Sequence, residues 1–445
     1  MNIFTQYFYK KNLEKFFDYA AHTPQSCEVI SYIEKLLPEY GNPSSIHSLG
    51  VKQNKKIEDA RTACAHLLSV SPSEIIFTPG GTASINLAIQ GILGSFSQKN
   101  PDITPHIISS EVEHSAVKQT LLNLFEMEVI ELTLLPIGTH GIITAEQVKD
   151  AIQENTILIT TLYVNNETGA INPIQEIGKE IFKFKKEHSA EFPLFHVDAS
   201  QAFLPYQIIP RSLHIDLLSF SSAKTYGPAH GGILYAKKGT QLSELLYGGS
   251  QEQKLWPGTQ SVIDICAGVF SFIEAGKHRK KEMERICELS YYLREQLTTT
   301  KFYKNGLLKL SLLARRSLGE VASVTAPGAQ SSGWIPLEGG MTTMVSPYIV
   351  HGYALGLSSE RLLIELDSYG ISISAQAACD SEKEGISDNI KALWKAQDND
   401  IYEGERAVFR ISLGIYSNKK GINYLVKKMD QIFDKIQLEN SLTNN

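Results

Sequence analysis

Ser219-Phe220-Ser221-Ser222-Ala223-Lys224-Thr225-Tyr226-Gly227-Pro228 is the stretch on which the reading of this chain turns. Leu217–Phe220 is a short apolar run of strand type, and Gly227-Pro228 makes a turn. A lysine just after a strand, behind a row of hydroxyls, is well placed to form an imine with an aldehyde. Its amine needs partial deprotonation, which burial or a nearby cation supplies. An isolated lysine is far more often a solvated surface residue, so its neighbours along the chain must decide.

Glu74–Phe77, His106–Ser110, Glu128–Leu134, Ile157–Val164 and Leu194–Val197 upstream, and Gly232–Ala236 downstream, read as further strands. Helical patterns lie between them, among them Ser115–Leu124 and Ala145–Gln153. The second opens with Thr144 and has Gln147 three residues on, a capping box. This alternation predicts βαβ units around a buried, largely parallel sheet, the α/β class. Functional loops in such sheets follow the carboxyl ends of strands.

One of those loops, Thr78-Pro79-Gly80-Gly81-Thr82, is a Gly-rich turn into a helix. Its free amides, with the Thr82 hydroxyl, suit an anion, although a plain strand–turn–helix joint uses the same residues. Another is His196-Val197-Asp198-Ala199-Ser200-Gln201, where Asp198 can hold a protonated ring nitrogen or cap a helix. Asp198, one βα step before Lys224, and the anion site further back lift the lysine above the surface reading.

Beyond the sheet, Val262–Thr298 reads as one long helix, and Lys301–Met344, with Gly and Ser clusters, reads as no regular element. Tyr348–Ala354, Ser358–Ser368, Gly370–Ser374, Ala407–Ser412 and Lys420–Ile436 predict a smaller α+β domain, with Glu439–Asn445 fraying. The expected division is 24–261 as the large domain, and 1–23 with 262–445 as the small domain and connecting helix. Length and composition allow this: 445 residues, 42% of them hydrophobic. A net charge of −6 asks for neither nucleic acid nor an anionic membrane. No apolar stretch approaches the roughly 20 residues that span a bilayer. Met1–Phe17 carries no signal-peptide pattern, and a cytoplasmic protein is expected. The five cysteines, Cys27, Cys64, Cys266, Cys287 and Cys379, are far apart and form no C-x-x-C pair. Neither a disulfide framework nor a metal site is expected.

These loops, taken with several further motifs, make the chain resemble the cysteine desulfurases, pyridoxal 5′-phosphate (PLP) enzymes of the class V aminotransferase group and fold type I. The resemblance runs from about Phe17 to Ile422. It is carried by Phe17-Asp18-Tyr19-Ala20-Ala21-His22-Thr23-Pro24, Gly41-Asn42-Pro43-Ser44-Ser45-Ile46-His47-Ser48-Leu49-Gly50, Glu113-His114, Val164-Asn165-Asn166-Glu167-Thr168-Gly169, Gly258-Thr259 and Phe409-Arg410-Ile411-Ser412-Leu413-Gly414. It implies that Lys224 holds PLP and moves protons, and that His114 stacks on the ring and serves as acid or base. It further implies Asp198 at the pyridine nitrogen and Gln201 at the ring oxygen. Gly81, Thr82 and Ser222 would hold the phosphate, with Thr259 from the partner of a homodimer. Asn166 and Arg410 would hold the substrate α-carboxylate, Arg410 through a planar fork. Cys379, in Ser372-Ile373-Ser374-Ala375-Gln376-Ala377-Ala378-Cys379, falls where the family keeps its persulfide-forming thiol.

The resemblance therefore implies transfer of sulfur from L-cysteine to Cys379, release of alanine, and a sulfur-acceptor protein serving iron–sulfur assembly or RNA thiolation. A selenocysteine lyase or aminotransferase of the same fold, and a degenerate sulfur-transfer scaffold, are the alternatives. Five departures bear on the chemistry. Ala223 stands where the family has histidine, Trp256-Pro257 where it has arginine and a small residue, and Ala83 where it often has glutamate. Ala375-Gln376-Ala377-Ala378 replaces Ser-Gly-Ser-Ala before the cysteine. Asp380, Glu382 and Glu384, offset by Lys383, make the following loop acidic, which raises a thiol's pKa.

Overall fold

Apolar runs of four to seven residues, buried along their length, form most of the central sheet of this computed structural model. The model describes residues 3–311, 335, 336, 342, 343, 345–375, 386–397 and 406–443. Cys379 and the acidic Asp380, Glu382 and Glu384 lie outside the described residues. The strands are β1 (Ile75–Thr78), β2 (His106–Ser110), β3 (Glu131–Leu135), β4 (Thr156–Leu162), β5 (Leu194–Asp198), β6 (Leu217–Ser221) and β7 (Gly232–Ala236). They form one seven-stranded sheet in the order β1-β7-β6-β5-β4-β2-β3. Pairings from β3 through to β6 are parallel, whereas β7 runs antiparallel to both β6 and β1. Continuous burial is what a parallel sheet covered on both faces requires.

Helices cover those faces. Gly81–Lys99 buries Leu87, Ala88, Ile89 and Ile92 on one side. Ile174–His188 buries Ile174, Ile177 and Ile181 in the core of the other. The expected box at Thr144 is formed: its hydroxyl accepts from the Gln147 amide at 3.2 Å, and Gln147 returns to the Thr144 amide at 2.8 Å. Inside the sheet the buried His196 is paired through both ring nitrogens. It bridges the Thr160 and Ser219 hydroxyls, and burial pushes its pKa down to about 4, so the ring is neutral.

A 38-residue helix, Val262–Thr299, about 57 Å long at 1.5 Å per residue, joins two cores. Val269 and Phe272 belong to the core of the large sheet, and Met283, Ile286, Leu293 and Leu297 to that of a smaller one. The smaller sheet has three strands, with Ile349–Leu355 between Arg406–Ser412 and Leu308–Leu310. Leu308–Leu310 corrects the expectation that Lys301–Met344 holds no regular element. Gly370–Ser374, expected as a strand, makes only single bridges, Ser372 to Phe16 and Ser374 to Arg410. The last helix, Lys419–Thr443, continues past Glu439, where fraying was expected. Among the described residues no helix is long and apolar enough to cross a membrane.

Candidate active site

At the carboxyl ends of β1, β4, β5 and β6 lies a cavity of about 600 Å³. Gly81, Thr82, His114, Asn166, Asp198, Gln201, Lys224 and Arg410 all line it. It is closed by Ala20 and Ala21 from the N-terminal segment and by Arg410 from the small sheet. Eight residues singled out in the sequence thus meet in one place.

Each is positioned by its element. The helix Gly81–Lys99 starts at the cavity wall, where its first-turn amides have no partner within the helix and its dipole is positive. That turn is pressed onto β7: a Cβ added to Gly232 would lie 2.4 Å from the Gly80 backbone. Asp198, 6% exposed, ends β5. Its Oδ1 accepts from the Ser200 amide at 2.9 Å and the Ser200 hydroxyl at 2.7 Å. The carboxylate therefore both caps the following turn and lines the cavity, and its other oxygen takes no hydrogen bond among the described residues.

Gln201 donates to the Ala20 carbonyl at 2.8 Å, and the Lys224 amine donates to the Ala21 carbonyl. His114 caps the helix Ser115–Glu126, its Nδ1 accepting from the Ala116 amide at 3.1 Å. In the neutral ring the proton then sits on Nε2. Arg410, 1% exposed, donates to the Asn166 carbonyl at 2.9 Å and to Asp18 Oδ1 at 2.7 Å. Its Nε finds no partner among the described residues.

Two singled-out residues lie elsewhere. The Ser222 hydroxyl donates to the Pro228 carbonyl at 2.5 Å and does not line the cavity; Ser221, one position earlier, does. Thr259 is exposed, three residues beyond Trp256, which does line it. The sequence reading gave no role to Asp18, Ala20 and Ala21, although the motif Phe17–Pro24 that contains them was already matched.

Glu113, just before His114, is 2% exposed and accepts from the Ser110 hydroxyl at 2.5 Å. Burial above all, and the charge of Asp198, push its pKa up to about 8. Between 4.5 and about 8 the folded protein keeps a proton that the unfolded chain has lost, so stability falls as pH rises through that window. Glu113→Gln is expected to flatten this decline. Urea midpoints at about pH 5 and about pH 8 measure it, and an equally steep decline in the variant would show that another group titrates.

The groups on this wall fit a flat, anionic aldehyde cofactor. They offer an amine, a carboxylate with a spare oxygen, an imidazole, free helix amides and an arginine with unused donors. Sheet order and cavity together define a fold type I PLP enzyme. A family model, "Aminotransferase class-V", matches residues 15–305. The cysteine desulfurase IscS of Dictyoglomus turgidum is 34% identical over 428 residues, 95% of each chain. That of Methanosarcina thermophila is 32% identical over 434 residues, 97% of this chain and 95% of its own. Among solved structures, a NifS-like protein superposes with a TM-score of 0.75 at 26% identity, covering 95% of this chain and 99% of its own. SspA in complex with cysteine gives 0.68 at 27%, covering 91% and 100%. The chain belongs to the class V aminotransferase family and, within it, to the cysteine desulfurases.

Proposed function

We propose that this enzyme moves the sulfur of L-cysteine onto its own Cys379 and releases L-alanine. The observation that carries this reading is the meeting of Lys224, Asp198, His114, Asn166 and Arg410 in one cavity. PLP, when bound, supplies an electron sink for charge developing at the substrate α-carbon. Gly81, Thr82 and, from its place on the wall, Ser221 rather than Ser222 would hold its phosphate. Asp198 would face the ring nitrogen, Gln201 the ring oxygen, and His114 the ring itself. The Lys224 amine takes the α-proton. Arg410 holds the α-carboxylate with donors left over from Asp18 and Asn166, and the Asn166 side chain assists.

Cys379 itself lies outside the described residues, but the chain on either side of it is placed. Ser374 exchanges main-chain hydrogen bonds with Arg410 at 2.6 and 3.2 Å, and the Ser387 hydroxyl donates to Glu167 at 2.5 Å. The four other cysteines do not line the cavity. Burial lifts Cys64 to about 12 and Cys266 and Cys287 to about 11, far from thiolate at neutral pH. In the proposed transfer the Cys379 and substrate thiols become a persulfide, oxidised by two electrons. The substrate Cβ–S bond breaks, and Cβ is reduced to the methyl group of alanine.

Other parts of the reading concern assembly. Residues 24–261 are taken as the cofactor-binding domain, and 1–23 with 262–445 as the small domain and connecting helix. A homodimer is proposed across the loops 41–47 and 247–258, which Gln251 ties together by its contact with Ser44 at 3.3 Å. Ile46 and Tyr247 on these loops are 97% and 89% exposed, an apolar surface that a second copy would cover, bringing Thr259 to its partner's site. A sulfur-acceptor protein serving iron–sulfur assembly and a cytoplasmic setting complete the proposal.

Two measurements test it. The purified protein should show a visible PLP band, and incubation with L-cysteine should yield alanine. A band without alanine would move the enzyme to the lyases or aminotransferases, and the lack of a band would leave a scaffold.

Ala223 motivates a further expectation. It lines the cavity at the position where the family has histidine, and its carbonyl receives Thr23 and His22 at 2.9 and 3.1 Å. A hydrogen bond to a charged group is worth about 1.5–3 kcal/mol, or about one to two decades in affinity. Ala223→His should therefore slow PLP loss on dialysis. Equal loss from both proteins would mean that another group already makes the contact.

A further inference from the structure

Glu167 follows Asn166 on the loop after β4, but it does not line the cavity and is 1% exposed. Its Oε2 accepts from the Ser387 hydroxyl at 2.5 Å and its Oε1 from the Asn389 side chain at 2.7 Å. Ser387 caps the helix Asp388–Ala396, and Asn389 lies in its first turn. On the other side, the Glu167 amide donates to Asn165 Oδ1 at 2.9 Å. Asn165 in turn donates from its side chain to the Val112 carbonyl at 3.1 Å, two residues before His114. A continuous run of hydrogen bonds thus links the His114 loop and the Asn166–Arg410 contact to this helix.

The helix is seated by packing as well, and Gln397 at its end donates to the Thr139 and Ser311 carbonyls at 3.0 and 3.2 Å. At nine residues it is too short to be stable alone, so its seat depends on its contacts. Leu393 enters the core of the large sheet, while Ile390 and Trp394 pack with Tyr353 and Val408 of the small one. Lys118 pairs with Asp388 at 3.0 Å, a pair that is partly solvated. The buried Glu167 contacts are therefore the strongest polar tie between the helix and the loop that holds the substrate.

We infer that Glu167 is a positioning residue: it fastens the helix that starts at Asp388, nine residues after Cys379, to the substrate-binding loop, and so governs how often the thiol meets the substrate sulfur. This rests on the desulfurase reading. A nonpolar residue at 167 would leave Ser387 and Asn389 unpaired in a buried place. Glutamine could still accept from Asn389 and meet the Ser387 hydroxyl with reversed polarity.

The test compares the PLP-loaded parent with Glu167→Ala, Glu167→Gln and Asn389→Ala. In Glu167→Ala the kcat for alanine release should fall at least about tenfold, with KM for L-cysteine within about twofold. The cofactor's spectral response to L-cysteine should persist. Glu167→Gln should restore most of kcat. Independently of activity, amide hydrogen exchange over 388–396 should quicken in Glu167→Ala and not in Glu167→Gln. Asn389→Ala should mimic Glu167→Ala and add little to it in the double variant, and it carries the test if Glu167→Ala does not fold. Unchanged kcat and exchange in these variants would overturn the inference. So would a kcat loss matched by raised KM and loss of PLP, which would mark Glu167 as merely structural. If the parent releases no alanine, the desulfurase reading fails, while the exchange measurement still decides whether Glu167 anchors the helix.

Discussion

Lys224→Ala should abolish covalently held PLP and lower turnover by more than about 10³-fold, because one amine does two tasks. Among the described residues that line the cavity Lys224 is the only lysine, so none of them can replace it there. It stands at the end of a single helical turn, Ser222–Lys224, capped by the Ser221 hydroxyl, which holds the chain rigidly at the carboxyl end of β6. Removing the side chain should leave that turn intact, since the turn is held by main-chain hydrogen bonds around Ser222 and by the Ser221 cap. Borohydride treatment followed by peptide mass analysis measures the covalent link, and alanine release measures turnover. Cofactor still fixed to the Lys224→Ala protein would show that another residue holds it.

Cys379→Ser has the second largest expected effect and separates sulfur transfer from cofactor binding. The groups proposed to hold PLP do not include this residue, so the variant should bind PLP and respond spectrally to L-cysteine. Alanine release should fall at least about 10²-fold, because a hydroxyl cannot take the sulfur. The Cys379 peptide of the parent should gain one reducible sulfur atom, and that of the variant none. Alanine at Cys27, Cys64, Cys266 or Cys287 should leave activity near normal, since those thiols serve packing. If Asp380, Glu382 and Glu384 raise the pKa of the Cys379 thiol, activity of the parent should rise toward alkaline pH. Replacing all three by Asn or Gln should move that rise toward neutrality. Undiminished alanine release by Cys379→Ser would sink the transfer mechanism and leave PLP binding standing.

Much of this site was legible because its signals are local. Lys224, Asp198 and Gly81-Thr82 each follow a strand, and apolar runs with turn residues mark strand ends. The two serines before Lys224 show where local reading stops. Along β6 side chains alternate faces, but the turn at Ser222–Lys224 breaks that alternation. Only the fold shows that Ser221 lines the cavity while Ser222 is bonded to Pro228. The small sheet hides a strand for a related reason: Leu308–Leu310 is three residues long, too short for a periodic pattern to stand out.

By itself the sequence determined the succession of strands and helices in the large sheet, the cap at Thr144, the lysine and the carboxylate one βα step apart, and the family. Periodicity, turn chemistry and ordered motifs are properties of neighbouring residues, and they survive being read along a line. Tertiary structure alone decided that β1 lies against β7 and that the Lys224 amine meets the Ala21 carbonyl. It alone placed Asp18 against Arg410, 392 residues away, and Glu167 against Ser387 and Asn389. The charge of a carboxylate and the donors of a guanidinium state what each can bind, not which partner it will have. That choice falls to burial: once packing removes water from these groups, each must pair with whatever polar atom the two cores bring within reach.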